Sequence, residues 1–301
     1  MTVFIYIYFS ILVLSIPILG KKKSFEESYV KFIFFILFLL SVLKDVRLPD
    51  YEMYKAGYYS SIQGNSLHTF EPSFYFISKL FSPLGDLGFY FLLAFYSLLI
   101  LILHYKIISK SVFKKYSLLL YFSNFFIIFC LIQIRAGVAL GFIYLALIHR
   151  KEIKKYLLYI SLAIFFHYSS IIFLPIFLID RIKINQFRVF ILICFAFVTK
   201  IYFGPTIIEI LKLFSFGYFD KKIITYVLSG VREDMAINLL GFFILSKIFL
   251  LFLFTYLIKY FKTNKEMILY VKLYALGIFV YIGFSMFPNV SVRISNILFF
   301  S

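Results

Sequence analysis

Residues 87–103 read LGFYFLLAFYSLLILIL, and no charged side chain interrupts them. A helix of about 20 apolar residues crosses a bilayer, because each residue adds roughly 1.5 Å to its length. Similar apolar runs recur along the chain. They cover residues 3–20, 30–43, 87–103, 117–133, 136–148, 156–179, 189–203, 237–258 and 267–287. The pattern predicts an all-α, polytopic transmembrane helical bundle with about nine to eleven membrane segments.

The composition supports the same fold class. Hydrophobic residues make up 63% of the 301 residues, and the mean hydropathy is +0.97. A soluble domain is about 45–50% apolar, and a chain of this length could not bury so much apolar surface in one core. The net charge of +17 does not indicate nucleic acid, because the basic residues form short clusters between the apolar runs. With no visible linker or repeat, residues 1–301 are predicted to form a single transmembrane domain.

The charges of the loops predict an orientation. The short basic loops are residues 21–31, 104–116, 149–155, 180–188 and 259–272. Together these loops hold 19 Lys and Arg residues against five acidic ones, whereas loops 44–87 and 200–236 hold nine basic and nine acidic residues. The positive-inside rule places the basic loops in the cytoplasm and the two long loops outside. Within the second long loop, residues 204–219 are predicted to form an interfacial amphipathic helix.

Residues 156–179 conflict with simple alternation across the membrane. A single crossing would place loop 180–188 outside and the basic loop 259–272 outside as well. The conflict disappears if the segment enters and returns as two half-helices that break near His167, inside the polar sequence Phe166-His167-Tyr168-Ser169-Ser170. Such a break is tolerated where protein or a wet cavity surrounds it. The alternative is one long tilted helix with a buried histidine.

Arg135 is the most unusual single residue in the sequence. It lies between apolar stretches, where an arginine costs several kcal/mol unless it is paired, hydrated or near the interface. Its guanidinium group is a planar donor suited to phosphate, so the residue is a candidate substrate-binding group. The alternative is an arginine that snorkels at a helix boundary. Gly137 and Gly141 follow it with helical spacing and predict a close approach by another helix.

Further candidate functional residues are His167, several residues of the first external loop, and Lys247 in a late apolar run. His167 could act as a base, donate to a phosphate or be a satisfied core residue. Carboxylates interleaved with tyrosines suit the recognition of sugars, although a solvated loop with interfacial tyrosines has the same composition. The loop candidates are Asp50, Tyr51, Tyr54, Tyr58 and Glu71. Lys247 interrupts the run 237–258 and either binds a substrate or snorkels.

These residues stand in short motifs whose order resembles the EpsG-like branch of the Wzy oligosaccharide repeat-unit polymerases. The motifs are Asp50-Tyr51 with Tyr54 and Tyr58, Glu71-Pro72-Ser73-Phe74, Ile134-Arg135-Ala136-Gly137-Val138-Ala139, Phe165 to Ser170 with Leu174-Pro175, and Val292-Arg293-Ile294. The resemblance covers roughly residues 40–300. Ala136 stands where the family usually has Gln, and Ser73 stands where it often has Gly.

The resemblance implies a reaction on the outer face of the bacterial cytoplasmic (inner) membrane. A growing glycan would leave its undecaprenyl pyrophosphate and join a hydroxyl group of an incoming lipid-linked repeat unit. Arg135 and Arg293 would bind the pyrophosphate, and Asp50, Glu71 and His167 are the candidates for the base. No metal or other cofactor is expected. The implied partners are undecaprenyl-pyrophosphate-linked oligosaccharide, membrane lipid, and a flippase and a chain-length regulator of the same pathway.

Two other functions fit a multi-pass protein. An O-acyltransferase that modifies surface polysaccharide would favour an early histidine or arginine motif on the cytoplasmic side, and the chain has no histidine before His68. A flippase of lipid-linked oligosaccharide would carry charges on many helices around a central cavity. Homologues continue beyond the apolar run that follows Arg293, so the sequence is expected to be truncated at its C-terminus.

Overall fold

The computed structural model describes most of the chain between residues 23 and 299. The described ranges are 23–64, 70–109, 114–203, 238–239, 241–258, 260 and 265–299. Every regular element in these ranges is helical, so the all-α class is confirmed there. The contacts divide the chain into two compact units, residues 1–177 and 178–301. The single domain over residues 1–301 stays a prediction.

The first unit contains seven α-helices within its described residues. They are α1 Lys23–Val42, α2 Tyr51–Ile62, α3 Pro72–Phe81, α4 Asp86–Ile108, α5 Lys114–Leu120, α6 Ile134–Ile148 and α7 Ile153–Phe166. A π-helical segment, Tyr121–Ile132, continues α5, and a 3₁₀ turn, Ser82–Leu84, joins α3 to α4. A second 3₁₀ segment, Tyr168–Arg181, follows α7 and continues past residue 177.

The second unit is built on four described helices around an apolar core. They are α8 Gln186–Val198, α9 Phe242–Leu257, α10 Lys265–Gly283 and α11 Pro288–Phe299, and a short π-helical segment, Thr199–Phe203, extends α8. Buried aliphatic side chains from α8, α9 and α10 meet in this core. They include Val189, Ala196, Ile244, Leu251, Ala275 and Ile278.

Two described helices are long and apolar enough to cross a membrane. They are Asp86–Ile108, with 23 residues, and Lys265–Gly283, with 19 residues. Helices Ile134–Ile148, Tyr168–Ile179 and Phe242–Leu257 are apolar but shorter. The predicted bundle of nine to eleven membrane segments is therefore shown only in part: the described residues form helices alone, and two of these helices are of spanning length. The predicted segment 3–20 and interfacial helix 204–219 lie outside the described residues.

A tight turn at Gln133 joins the π-helical segment Tyr121–Ile132 to α6. Gln133 has φ −94° and ψ 62°, which interrupts the helical path. A side chain at Gly137 would collide with the carbonyl oxygen of Phe129, and a Cβ atom at Gly141 would lie 2.6 Å from the Cβ atom of Leu103 in α4. The two glycines therefore allow the close approach that their spacing predicts.

The chain also reverses at His167. This residue has φ −155° and ψ 113°, so extended backbone ends α7. After the reversal the hydroxyl group of Tyr156 donates to the carbonyl oxygen of Phe173, and the rings of Tyr156 and Phe177 lie 5.9 Å apart. One straight helix over residues 156–179 would hold these groups far apart, since each residue adds roughly 1.5 Å. The predicted break at His167 is confirmed as a reversal of the chain, and the entry and return of residues 156–179 on one side of a membrane stay a prediction.

The first long loop, residues 44–87, contains ordered helices of its own. Tyr58 donates its hydroxyl group to the carbonyl oxygen of Gly85 at 2.9 Å, and Tyr59 donates to Oδ1 of Asp86 at 2.7 Å. These bonds attach the end of α2 to the start of α4. The described residues of this segment therefore form helices beside α4, and α3 begins among them at Pro72.

Candidate functional site

Glu71 lies within the first long loop and directly precedes α3. Its backbone is extended, with φ −62° and ψ 152°, and Pro72 follows at the first helical position. Proline is favoured there because its fixed φ suits a helix and its missing N–H group would have no intrahelical partner. The short helix starts at this point for that reason, and the Glu71 side chain, which is 4% exposed, points into the unit.

Arg135 lies in the first turn of α6, directly after the turn at Gln133. Its Nη1 atom donates to Oε2 of Glu71, which precedes it by 64 residues. Isolated charges of this kind are rarely stable in an apolar interior, whereas a carboxylate partner compensates the guanidinium charge. The pair explains how the most unusual residue of the sequence is accommodated.

His167 contacts the other oxygen of the same carboxylate. Its Nδ1 atom lies 3.0 Å from Oε1 of Glu71. An ionised carboxylate only accepts hydrogen bonds, so a neutral imidazole places its proton on Nδ1 and keeps a lone pair on Nε2. The reversal of the chain at His167 therefore brings a ring of defined tautomer to the ion pair. Glu71, Arg135 and His167 are called the ion-pair triad below.

Aromatic rings cover the guanidinium group of Arg135. Its Cζ atom lies 4.8 Å from the ring centre of Phe70, 5.4 Å from that of Tyr54 and 6.0 Å from that of Phe74. Cation–π contacts of this kind are stronger where water is excluded. Phe70 and Phe74 are not among the residues that the sequence predicts for the site, although Phe70 directly precedes Glu71 and Phe74 ends the short motif that begins at Glu71.

Two opposing effects act on the Glu71 carboxyl group, which lies between two helices too short to cross a bilayer. Burial by itself raises its pKa. The charge of Arg135, with the hydrogen bond and charge of His167, outweighs this effect and lowers the pKa from 4.5 to about 2. Glu71 is therefore ionised at neutral pH and is a weak base in this arrangement.

The guanidinium group of Arg135 is not saturated. Within the described part of the chain, its buried Nε atom has no hydrogen-bond partner. A buried donor without an acceptor costs about 1–3 kcal/mol, so such a group is unusual and favours an added acceptor. Arg135 and His167 keep 13% and 15% of their side-chain surface exposed, whereas Glu71 keeps 5%. The two donors of the triad are therefore its more accessible members.

Asp50 and Tyr54 connect the triad to α2. Asp50 precedes this helix with a left-handed backbone, φ 67°, and its side chain does not cap the helix. Aspartate adopts this conformation more readily than most residues. Tyr54 is 2% exposed, and the charges of Arg135, Asp50 and Glu71 all act on its hydroxyl group. The half-buried Asp50 therefore lies within electrostatic range of the site.

The other two predicted loop tyrosines are packed inside the first unit. Tyr51 is 5% exposed and meets Phe89 edge to face at 5.4 Å, and Tyr58 is fully buried. Their ring faces contact protein. Another contact that the sequence does not indicate joins Ser73 and Tyr96, whose hydroxyl oxygens lie 3.2 Å apart beside Phe74.

Lys247 and Arg293, the remaining predicted site residues, belong to the second unit. The Nζ atom of Lys247 lies 4.0 Å from the ring centre of Phe299, 4.8 Å from that of Phe243 and 5.6 Å from that of Tyr274. An aromatic cluster thus holds this lysine in an otherwise apolar helix. Arg293 lies in α11, and its side chain is outside the described part of the structure. Among the described residues, no three His, Cys, Asp or Glu side chains cluster as metal ligands would.

The chain matches one family model, that of the EpsG family, over residues 27–301. No curated protein matches the chain. No solved structure matches it. The matched segment covers nearly the whole chain and includes the complete ion-pair triad. EpsG is a family of Wzy-like polymerases of membrane polysaccharide biosynthesis, and the apolar helices agree with a membrane protein. The chain therefore belongs to the EpsG family.

Proposed function

We propose that this protein polymerises undecaprenyl-pyrophosphate-linked oligosaccharide repeat units into surface polysaccharide. The reaction takes place on the outer face of the bacterial cytoplasmic membrane, in a multi-pass protein whose basic loops face the cytoplasm. Membership of the EpsG family supports the class of reaction. The observation that carries the proposal is the ion-pair triad, because it joins an arginine and a histidine in one partly buried site.

Arg135 binds the pyrophosphate of the lipid donor in this proposal. The leaving group of the transfer is an anion, and preorganised donors that face developing negative charge lower the barrier of such a reaction. A planar guanidinium group can donate two parallel hydrogen bonds to a phosphate, which an ammonium group cannot. The unpartnered Nε atom supports this role, because it is a donor that the protein itself leaves unused among the described residues.

His167 is the base that we favour for the acceptor hydroxyl group. Glu71 fixes the proton of the imidazole on Nδ1 and so leaves Nε2 able to accept a proton. A carboxylate behind a histidine orients the ring and stabilises the imidazolium ion that forms during the transfer. Glu71 is itself a weak base because Arg135 and His167 lower its pKa to about 2. Asp50 is the second candidate for the base.

The tyrosines of the first long loop support the site from within the protein. Tyr54 lies against Arg135, while Tyr51 and Tyr58 hold α2 against α4. Their burial favours a positioning role over direct stacking on a sugar. Lys247 and Arg293 are proposed to bind anionic groups of a lipid-linked substrate.

A deletion strain complemented with variants tests the proposed function. Its lipid-linked glycans are separated into cytoplasmic and external pools and sized. Loss of a polymerase leaves single repeat units on the outer face, and the wild-type chain restores long polymer. Units trapped inside the cell would instead identify a flippase. Full-length polymer that lacks acyl groups would identify an acyltransferase.

A further inference from the structure

Glu71 is an anion that already contacts the two side chains to which the proposed function assigns the substrate. Each of its two carboxylate oxygens contacts a different side chain: Oε2 accepts from Arg135, and Oε1 lies beside Nδ1 of His167. A phosphate group offers oxygens of the same kind to the same donors. The protein therefore places an internal anion on the guanidinium group that would bind a pyrophosphate.

The fit between Glu71 and Arg135 is incomplete. The carboxylate uses Nη1 of the guanidinium group, whereas Nε is buried and has no partner in the described part of the chain. A pyrophosphate carries more acceptor oxygens than a carboxylate and could accept from Nε and a terminal nitrogen together. The partial exposure of the Arg135 side chain, 13%, gives such a ligand an edge to reach.

We propose that Glu71 pairs with Arg135 in the unliganded protein in the place of a pyrophosphate group. When the lipid-linked substrate binds, its pyrophosphate displaces Glu71 from Arg135. This inference rests on the proposed function. Arg135 exchanges one anion for another, so its buried charge stays compensated throughout. Glu71 keeps its contact with His167 and loses the neutralising charge of the arginine.

The exchange couples the two substrates of the reaction. A carboxylate that no longer shares its charge with an arginine stabilises an imidazolium ion more strongly, so His167 becomes a better base only after the donor has bound. The acceptor oxygen then forms the bond to the sugar carbon and gives its proton to Nε2 of His167. The bond from that carbon to the pyrophosphate breaks, and its electron pair leaves with the pyrophosphate, which Arg135 holds.

Affinity measurements on the purified full chain in detergent test the exchange. The ligands are undecaprenyl pyrophosphate, inorganic pyrophosphate and uncharged undecaprenol. The variants are Glu71→Gln, Arg135→Gln and, as a matched control, Glu52→Gln, which changes an exposed carboxylate of the neighbouring helix α2. We expect Glu71→Gln to bind undecaprenyl pyrophosphate at least about fivefold more tightly than wild type, a usual lower limit for coupled ligands.

The same measurements give outcomes that separate the exchange from the proposed function. Arg135→Gln should lose its affinity for undecaprenyl pyrophosphate, and Glu52→Gln should bind this ligand as tightly as wild type. Uncharged undecaprenol should bind to all the variants with the same affinity. If Glu71→Gln binds undecaprenyl pyrophosphate no more tightly than wild type while Arg135→Gln loses this binding, Glu71 has only a structural role. The exchange is then overturned while the proposed function stands. If Arg135→Gln binds undecaprenyl pyrophosphate as tightly as wild type does, the proposal that Arg135 binds the pyrophosphate of the lipid donor is wrong as well. Inorganic pyrophosphate that binds as tightly as the lipid would overturn the assignment to a lipid donor.

A second variant keeps the test decisive if Glu71→Gln leaves Arg135 without a counter-ion and does not fold. Glu71→Asp retains the charge but withdraws the carboxylate by one methylene group, so the arginine should be easier to capture. Tighter binding of undecaprenyl pyrophosphate than wild type, checked by a larger ligand-induced rise in Tm, supports the exchange. Weaker binding by a folded Glu71→Asp protein overturns it.

Discussion

The Nδ1 atom of His167 lies 3.0 Å from Oε1 of Glu71, although 96 residues separate them in the sequence. Glu71 precedes a helix, His167 ends one, and Arg135 begins another, so three helix ends meet at one carboxylate. Side chains on such ends are held by the backbone of the turns as well as by their hydrogen bonds. The arrangement gives the imidazole of His167 and the guanidinium group of Arg135 a fixed mutual position.

Replacing His167 by alanine should lower the rate of polymerisation by about 10²- to 10⁴-fold, the usual contribution of a general base. The acidic limb of the pH–rate profile should also disappear, because no imidazole remains to be inactivated by protonation. Both are measured with purified protein and lipid-linked units. A reduced rate with an unchanged profile would show that the histidine only braces the turn, and Asp50→Asn would then be the next variant to examine.

Replacing Arg135 by lysine should reduce polymer by at least roughly tenfold while the protein stays in the membrane. Lysine keeps the charge but loses the planar fork, and a hydrogen bond to a charged group contributes about 1.5–3 kcal/mol. Arg47→Lys is the matched control, because Arg47 is also paired with a carboxylate, Asp45, but is 85% exposed. Polymer length in the deletion strain is the measurement. Equal polymer in both variants would contradict the role of Arg135.

The sequence was sufficient to single out Arg135 and His167. A charge in an apolar run is costly, so Arg135 requires an explanation even without a structure. His167 lies in a polar break that the loop charges also require, and the chain does reverse there. The helical class follows from the apolar runs, because only helices and closed barrels satisfy their backbone hydrogen bonds inside a bilayer.

The pairing at the site could not be derived from the sequence. Nothing in the linear order states that Glu71, and not Asp50, would meet Arg135, since both carboxylates lie in the same loop. The burial of Tyr51 and Tyr58 was equally hidden, because a tyrosine suits a core, an interface and a sugar site alike. Helix α2 within the loop was missed because its Tyr- and Ser-rich segment has a weak apolar periodicity.

The pH dependence of stability should reveal the Glu71 ion pair. The folded protein lowers the pKa of this carboxyl group from 4.5 to about 2. A lowered pKa contributes stability that is fully present above the unfolded value and is lost as the pH falls towards the folded value. The difference in Tm between wild type and Glu71→Gln should therefore not shrink between neutral pH and about 5, and should shrink below about 4.5. A difference that shrinks already between pH 8 and 6 would contradict the ionised pair.

Replacing Gly137 by alanine should destabilise the turn that carries Arg135. The new methyl group would collide with the carbonyl oxygen of Phe129, which is backbone and cannot rotate away. Overpacking of this kind costs about 1–3 kcal/mol and should lower both Tm and activity. Gly283→Ala is the control, since its nearest contact is an ordinary 3.4 Å from Thr199. Normal activity in Gly137→Ala would show that the turn is not held by this contact.

The orientation of residues 156–179 is tested by labelling single cysteines in intact cells. Lys183 lies just after the 3₁₀ segment Tyr168–Arg181 and is exposed, and the charge of its loop predicts that it faces the cytoplasm. Gln63, exposed at the end of α2, is expected outside. An impermeant thiol reagent should therefore label Gln63→Cys in intact cells and Lys183→Cys only after the membrane is permeabilised.

The background for this experiment must lack Cys194, because that cysteine is exposed, whereas Cys130 is buried. Cys194→Ser removes the competing thiol without changing the charge of the chain. Labelling of Lys183→Cys from outside would mean that residues 156–179 do not return to the side from which they enter. The loops that follow would then be inverted, and the basic loop 259–272 would face outward against its charge. Protection of Lys183→Cys, with Gln63→Cys labelled in a parallel strain, would support the return of residues 156–179 to the cytoplasmic side, with the turn at His167 directed towards the outer face, where the lipid-linked units are joined in the proposed reaction.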